Sequence, residues 1–181
     1  MTTVPDAAGE RTTRPAPNEH PPSFAGYIAR VPAGDIADLL RAQVDDTSRF
    51  LRAIPDARTL AGYAPGKWTI RDIVGHLSDT ERILSYRALR FARGDRTPVP
   101  GFEENDYVPL AGAASRSMDD LVREFEIVRA ASVALFAGLP ADAWRRMGIA
   151  NGNEISVRAL AAIVAGHERH HVAVIRARYL A

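Results

Sequence analysis

Apolar residues recur three and four positions apart in four stretches of the chain, the spacing that gathers them on one face of an α-helix. The first stretch, about Asp35 to Ala53, carries Ile36, Leu39, Leu40, Val44, Phe50 and Leu51. The second follows Pro65-Gly66-Lys67-Trp68, opens on Thr69 with Asp72 as a capping pair, and continues through Ile70, Ile73, Val74, Leu77, Leu84 and Leu89. It stops at Gly94, a C-terminal signal. The third starts at Ser117 with Asp120 as capping partner, shows Leu121, Val122, Phe125, Val128, Val133, Leu135 and Phe136, and ends before Gly138 and Pro140. The fourth runs from Ser156 to about Tyr179. No stretch alternates convincingly as a strand. The pattern predicts an all-α protein: an up-down four-helix bundle with a long crossover loop, about Asp95 to Arg116, between helices two and three. Trp144 is expected on a short helical turn, and the turn-rich segment Gly148 to Asn153 as a small hairpin or loop.

The chain before this pattern reads differently. Prolines cluster at Arg14-Pro15-Ala16-Pro17 and His20-Pro21-Pro22, with few large apolar residues before Phe24. Residues 1–22 are therefore expected as a flexible Pro-rich tail and 23–181 as the bundle domain. Phe24, Tyr27 and Ile28 are expected to lie along the domain as an extended segment, and His20 belongs to the tail. With 181 residues, 46% hydrophobic and 25% charged, the chain suits one soluble domain. A net charge of +1 gives no basic excess for nucleic acid. No apolar run approaches the ~20 residues of a membrane span, and no signal-peptide pattern opens the chain, so a cytoplasmic protein without a membrane partner is expected. The absence of Cys removes disulfides, thiolate ligands and cysteine nucleophiles, leaving His, Asp and Glu to hold any metal.

Three of the five histidines fall in Gly166-His167-Glu168-Arg169-His170-His171. The fourth helix has the seam Val157, Leu160, Val164, His167, His171, Val174, with spacings of three and four throughout, so His167 and His171 face inward. One inward His reads most simply as a hydrogen-bonded core residue. Two at i and i+4 can close on one metal ion, which relieves the burial of both imidazoles. His170 lies off the seam. The other histidine in a core-forming helix is His76, one turn beyond Ile73 on the inner side of helix two. His76, His167 and His171 form the candidate ligand set, three imidazoles leaving a coordination position open. Gly75 and Gly166 each precede an inward His, where a missing side chain lets a neighbouring element come close.

The same string matches the metalloprotease pattern H-E-x-x-H. In this chain, however, no His, Asp or Glu follows His171 to complete such a site. Glu168 also lies about 100° around the helix from His167, which suits a solvated or supporting carboxylate better than a general base.

The ordered motifs Pro65 to Ile70, Gly75-His76-Leu77-Ser78-Asp79-Thr80-Glu81-Arg82, Tyr86 to Asp95, Pro100 to Val108 and Gly166 to His171 resemble the DinB-like superfamily, from about Tyr27 to the C-terminus. The resemblance implies a four-helix bundle, often a homodimer, with a divalent metal, zinc or nickel. Its ligands would be one His on helix two and the first and last His of H-x-x-x-H on helix four, here His76, His167 and His171. That superfamily holds thiol S-transferases using bacillithiol or mycothiol, a maleylpyruvate isomerase, and stress-inducible members without an assigned reaction.

These readings combine into a metal-dependent enzyme of thiol S-transferase or hydrolase type acting on a small-molecule substrate, with a low-molecular-weight thiol as the co-substrate in the transferase case. The alternative is a non-catalytic, stress-associated metal-binding bundle acting through dimerisation or a protein partner. Asp79 and Glu81, close after His76, are the candidate catalytic carboxylates. Asp79 is placed to reach the open side of the metal or orient a water, and Glu81 is also placed to pair with an Arg. Arg87, Arg90 and Arg93 recur at i, i+3 and i+6, either as a salt-bridged surface face or as a basic rim on which Arg87 and Arg90 contact an anionic substrate. The long loop with Phe102, Glu103, Glu104, Asp106 and Tyr107 is expected to fold over the metal mouth, and Trp68 and Trp144 to act as packing anchors.

Overall fold

The computed structural model describes residues 7–181. In chain order its helices are Ala7–Thr12 (α1), Ala25–Ile28 (α2), Ile36–Arg52 (α3), Ile70–Ala92 (α4), Glu104–Tyr107 (α5), Met118–Ala137 (α6) and Val157–Val174 (α7). A hairpin of Met147–Ala150 (β1) and Asn153–Ser156 (β2) precedes α7. Each long helix starts where its capping residue predicts. The Asp35 side chain accepts from the amides of Ala37 and Asp38. Thr69 and Asp72 form a reciprocal capping box, and the hydroxyls of Ser117 and Ser156 accept from the Asp120 and Ala159 amides. Gly94, at φ +79°, ends the turn after α4.

The long helices α3, α4, α6 and α7 form the bundle. Both α3 and α4 pack against α6 and α7, so they face each other across a diagonal. Directions follow from cross-contacts. Arg52 at the end of α3 pairs with Asp119 at the start of α6, while Leu40 near the start of α3 meets Arg129 further along α6, making these two antiparallel. Glu81–Arg129 and Ser85–Ser132 run in step, making α4 and α6 parallel. Gln43 meets Ala165 and Phe50 meets Arg176, making α3 and α7 parallel. The order is therefore up, down, down, up. The crossover of about Asp95 to Arg116 must return the chain along the bundle because it joins the parallel pair. It is partly structured: α5 and two short 3₁₀ turns interrupt it, and Val99 bridges to Ala150 at the hairpin. The hairpin itself turns on Asn151-Gly152, both at positive φ, the signature of a two-residue type I′ turn.

The apolar core is divided. One cluster, including Phe91, Phe136, Trp144, Leu160 and Ile163, fills one end of the bundle; a second, with Leu51, Ile70, Val74, Leu121 and Ile175, fills the other. Between them lies a buried polar layer of Gln43, His76, Glu81, Arg129, His167 and Glu168.

The N-terminal expectations require correction. From Ala7 on, the stretch expected as a flexible tail lies against the bundle; Met1 to Asp6 fall outside the described residues. Glu10, 4% exposed, pairs with Arg145 and Arg158, and Glu19 takes two 2.8 Å bonds from Arg158. Low apolar content is a poor guide here because the docking is ionic, through partners more than a hundred residues away. The segment around Phe24, Tyr27 and Ile28 is likewise helical, not extended, and α2 packs on α7.

Candidate metal centre

The two inward histidines of α7 and the one of α4 meet in the polar layer. The Nε2 atoms of His76 and His171 each lie 3.0 Å from Nε2 of His167, and one nitrogen from each of the three rings falls within 4.8 Å of the other two. Nitrogens bound tetrahedrally at ~2.0–2.1 Å would be roughly 3.3 Å apart. Three imidazoles from two helices thus already point their Nε2 atoms at one spot, and the donor set fits a divalent ion such as zinc or nickel. Burial keeps these rings neutral, the form that ligates. Desolvation lowers His76 to about 4 and His171 to about 3, and desolvation with the neighbouring rings places His167 well below 6.5. Among the described residues, no other group of three His, Asp or Glu side chains converges in this way.

The rings are held from behind. Thr80 Oγ1 lies 3.3 Å from His76 Nδ1, one turn along α4. If Nε2 is the ligating atom, Nδ1–H donates to that hydroxyl and fixes the tautomer. Trp68 packs on His76 at 4.8 Å and lies nearly parallel to His171, while Tyr27 meets His167 edge-on. Trp68 is thus a wall of the site; Trp144, fully buried against Phe136, is a core anchor. The two glycines have their expected use. A Cβ on Gly166 would run into the Tyr27 carbonyl, so only glycine lets α2 lie over His167, and a Cβ on Gly75 would press to 3.3 Å from Ala113 of the crossover.

The centre opens on a cavity of about 280 Å³ between α4 and α7. His76, His167, His171 and Trp68 stand in its wall, Leu84, Leu160 and Ile163 form an apolar floor, and Arg87 with Asn151 lines it further along. Phe102 and Glu104 bring the crossover into the same wall, as anticipated for a loop over the mouth.

The remaining candidates are sorted by where they point. Glu81 is not among the cavity-lining residues. It takes two hydrogen bonds, 2.8 and 2.9 Å, from Arg129, whose side chain is 1% exposed. Glu168 is not solvated: it is 1% exposed, 2.7 Å from Arg129 Nη2, and accepts from Gln43. Burial alone would pull the Arg129 guanidinium down, but the charges of Glu168 and Glu81 raise it instead and hold it ionised. Asp79 lies outside the cavity wall, 3.5 Å from Arg82, with its pKa raised by desolvation. Arg90 also lies outside, paired with Asp95, whereas Arg87 is inside. His170 packs on Tyr27, and His20 is 2.9 Å from the Pro21 carbonyl through Nδ1. Sequence reasoning missed Arg129. It sits with Phe125, Ser132 and Phe136 on one buried face of α6, and a charged residue on such a stripe is the signal that would have found it.

Fold and site together define a helical bundle with a three-histidine centre beside a cavity. The model of the DinB superfamily matches residues 39–175, and the chain belongs to that superfamily. It is 26% identical, over 81% of this chain and 87% of the relative, to a protein of Oceanobacillus iheyensis named "Putative metal-dependent hydrolase". Among solved structures it is similar to YfiT from Bacillus subtilis, described as "a probable metal-dependent hydrolase with an unusual four-helix bundle topology". That match has TM-score 0.68 and 17% identity and covers 91% of this chain and 90% of that one. It is also similar to the mycothiol-dependent maleylpyruvate isomerase, with TM-score 0.63 and 18% identity, covering 81% of this chain and 61% of the isomerase. No helix among the described residues is long and apolar enough to cross a membrane.

Proposed function

We propose that the protein is a divalent-metal-dependent enzyme acting on a small molecule, with His76, His167 and His171 as ligands of zinc or nickel. One observation carries this reading: the three converging Nε2 atoms stand in the wall of a cavity of about 280 Å³. Purely structural zinc sites are closed by four protein ligands, whereas three ligands beside a cavity leave a position for a reactant. A bound ion would supply Lewis acidity there, polarising an oxygen or sulfur donor that enters. The chain's own part is to keep three imidazoles neutral by burial, to fix His76 through Thr80, and to enclose the reactant between α4 and α7.

Hydrolysis is the first reading, supported by the name of the Oceanobacillus relative. Thiol transfer is the second, favoured by a specific observation. Among the described residues the acid in the cavity wall is Glu104, which is exposed, while the buried Glu81 and Glu168 lie outside that wall on Arg129, so none of the three is a buried base facing the cavity. A low-molecular-weight thiol ionises more readily and would supply the nucleophile that a chain without Cys lacks.

The test is elemental analysis of purified protein, followed by a panel of esters and lactones and of thiols paired with electrophiles. About one zinc or nickel per chain is expected, with turnover abolished by a chelator and restored by the ion, and metal lost in His167→Ala. A protein that binds no divalent ion, or whose turnover survives chelation, overturns the reading. A metal-loaded protein inert to every pair points to the non-catalytic bundle.

A further inference from the structure

Arg87 is unusual among the buried cations of this protein. Arg71, Arg87 and Arg129 are each 8% exposed or less. Arg71 pairs with Asp56 at 2.6 Å, and Arg129 pairs with Glu81 and Glu168. Among the described residues Arg87 has no carboxylate partner. Its Nη2 donates to the Pro100 carbonyl at 2.8 Å, its guanidinium lies 5.8 Å from the Phe102 ring centroid, and its buried Nε–H has no acceptor. Desolvation pulls its pKa down with no neighbouring acid to offset it. A buried guanidinium left this way costs free energy, and an entering anion removes that cost.

The side chain lines the same cavity as the three histidines. His76 and Arg87 are on one helix, and at 1.5 Å per residue their backbones are about 16 Å apart. Between them the wall is Leu84 from α4 with Leu160 and Ile163 from α7, all 3% exposed or less. The cavity is therefore polarised: histidines at one end, an apolar floor, and an unpaired cation at the other.

We propose that Arg87 anchors a carboxylate at the far end of the substrate, so that the cavity takes an elongated organic acid. The reactive group lies at the histidines, an apolar chain lies on Leu84, Leu160 and Ile163, and the carboxylate lies on Arg87. Planar guanidinium and planar carboxylate match in a way that a point charge does not. Only the placement of the reactive end rests on the metal-dependent reading above; the anion site stands on Arg87 itself.

The test is calorimetric titration of hexanoate and of hexan-1-ol, matched in chain length and differing in charge. It is run on metal-free and metal-loaded wild type, on Arg87→Met and on Arg87→Lys, with metal content and melting temperature recorded. The metal-free wild type is expected to prefer hexanoate at least about tenfold, the worth of one charged hydrogen bond, and the metal-loaded form shows what the ion adds by taking a carboxylate itself. Arg87→Met abolishes that preference without changing metal content, and Arg87→Lys keeps part of it. A residue that only ties down the Pro100 segment would move melting temperature and leave the selectivity unchanged. In the metal-free protein, no hexanoate binding in the wild type, equal affinity for acid and alcohol, or a preference that survives Arg87→Met each overturns the proposal. If Arg87→Met does not fold, the wild-type preference and Arg87→Lys decide. Loss of the metal reading leaves the metal-free titration intact, so the two ideas fail separately.

Discussion

The polar layer makes a quantitative prediction through Arg129→Met. In the native protein the guanidinium gives Glu81 two bonds of 2.8 and 2.9 Å, meets Glu168 at 2.7 Å and donates to the Leu40 carbonyl at 3.3 Å. The three charged side chains are 1%, 4% and 1% exposed, so water screens none of them. Methionine fills much of the volume but strands two buried carboxylates. Breaking a buried ion pair from one side costs about 3–5 kcal/mol. For a domain of this size each kcal/mol moves the melting temperature by about 2–4 °C, so a fall of roughly 6–20 °C is expected. Urea unfolding followed by circular dichroism measures the loss directly. The triple variant Arg129→Met, Glu81→Gln, Glu168→Gln removes the stranded charges and should recover most of it, because a neutral replacement of a buried ion cluster is often tolerated. A single variant within about 1 kcal/mol of wild type would falsify the account of the layer as a mutually dependent cluster.

Three further outcomes follow from the same geometry. Metal-free protein should lose stability as pH falls from about 6.5: the unfolded histidines take up protons there, while native His76 stays neutral to about 4 and His171 to about 3. His76 alone accounts for about 3 kcal/mol, visible as a falling urea midpoint between pH 7 and 4; a flat midpoint would contradict the burial of these rings. Gly166→Ala should cost about 1–3 kcal/mol by pushing α2 off α7, read by thermal melting and by increased quenching of the aromatic fluorescence around the site. Thr69→Ala removes the cap of α4 and should cost about 1 kcal/mol in thermal melting, because the Asp72 amide loses its acceptor; no change would mean that the tertiary contacts of Trp68 and Arg71 hold this end unaided.

Much of the protein was legible in its order of residues because the relevant interactions are local. Capping residues bond amides two or three positions away, and apolar stripes repeat every turn. The four long helices therefore start at Asp35, Thr69, Ser117 and Ser156 as read. His167 and His171 are one turn apart on one helix, and His76 was the one other inward His, so the cluster of three needed little knowledge of packing. The crossover was legible as a length and as a loop over the mouth; that it joins a parallel pair of helices was set by the packing.

Long-range pairing was decided only by the tertiary structure. Glu81, Arg87 and Arg90 share one helix and carry charges that look alike as text. Packing buries Glu81 on Arg129, ties Arg90 to Asp95 and leaves Arg87 in the cavity with no carboxylate partner among the described residues. Glu168 follows His167, yet the diagonal order of the helices turns it to Gln43 and Arg129. The Pro-rich start resembles a free tail until Arg145 and Arg158, more than a hundred residues on, supply the charges that hold it. Helix periodicity says which side of a helix is inward; which charge waits on the facing helix is set by the assembled bundle.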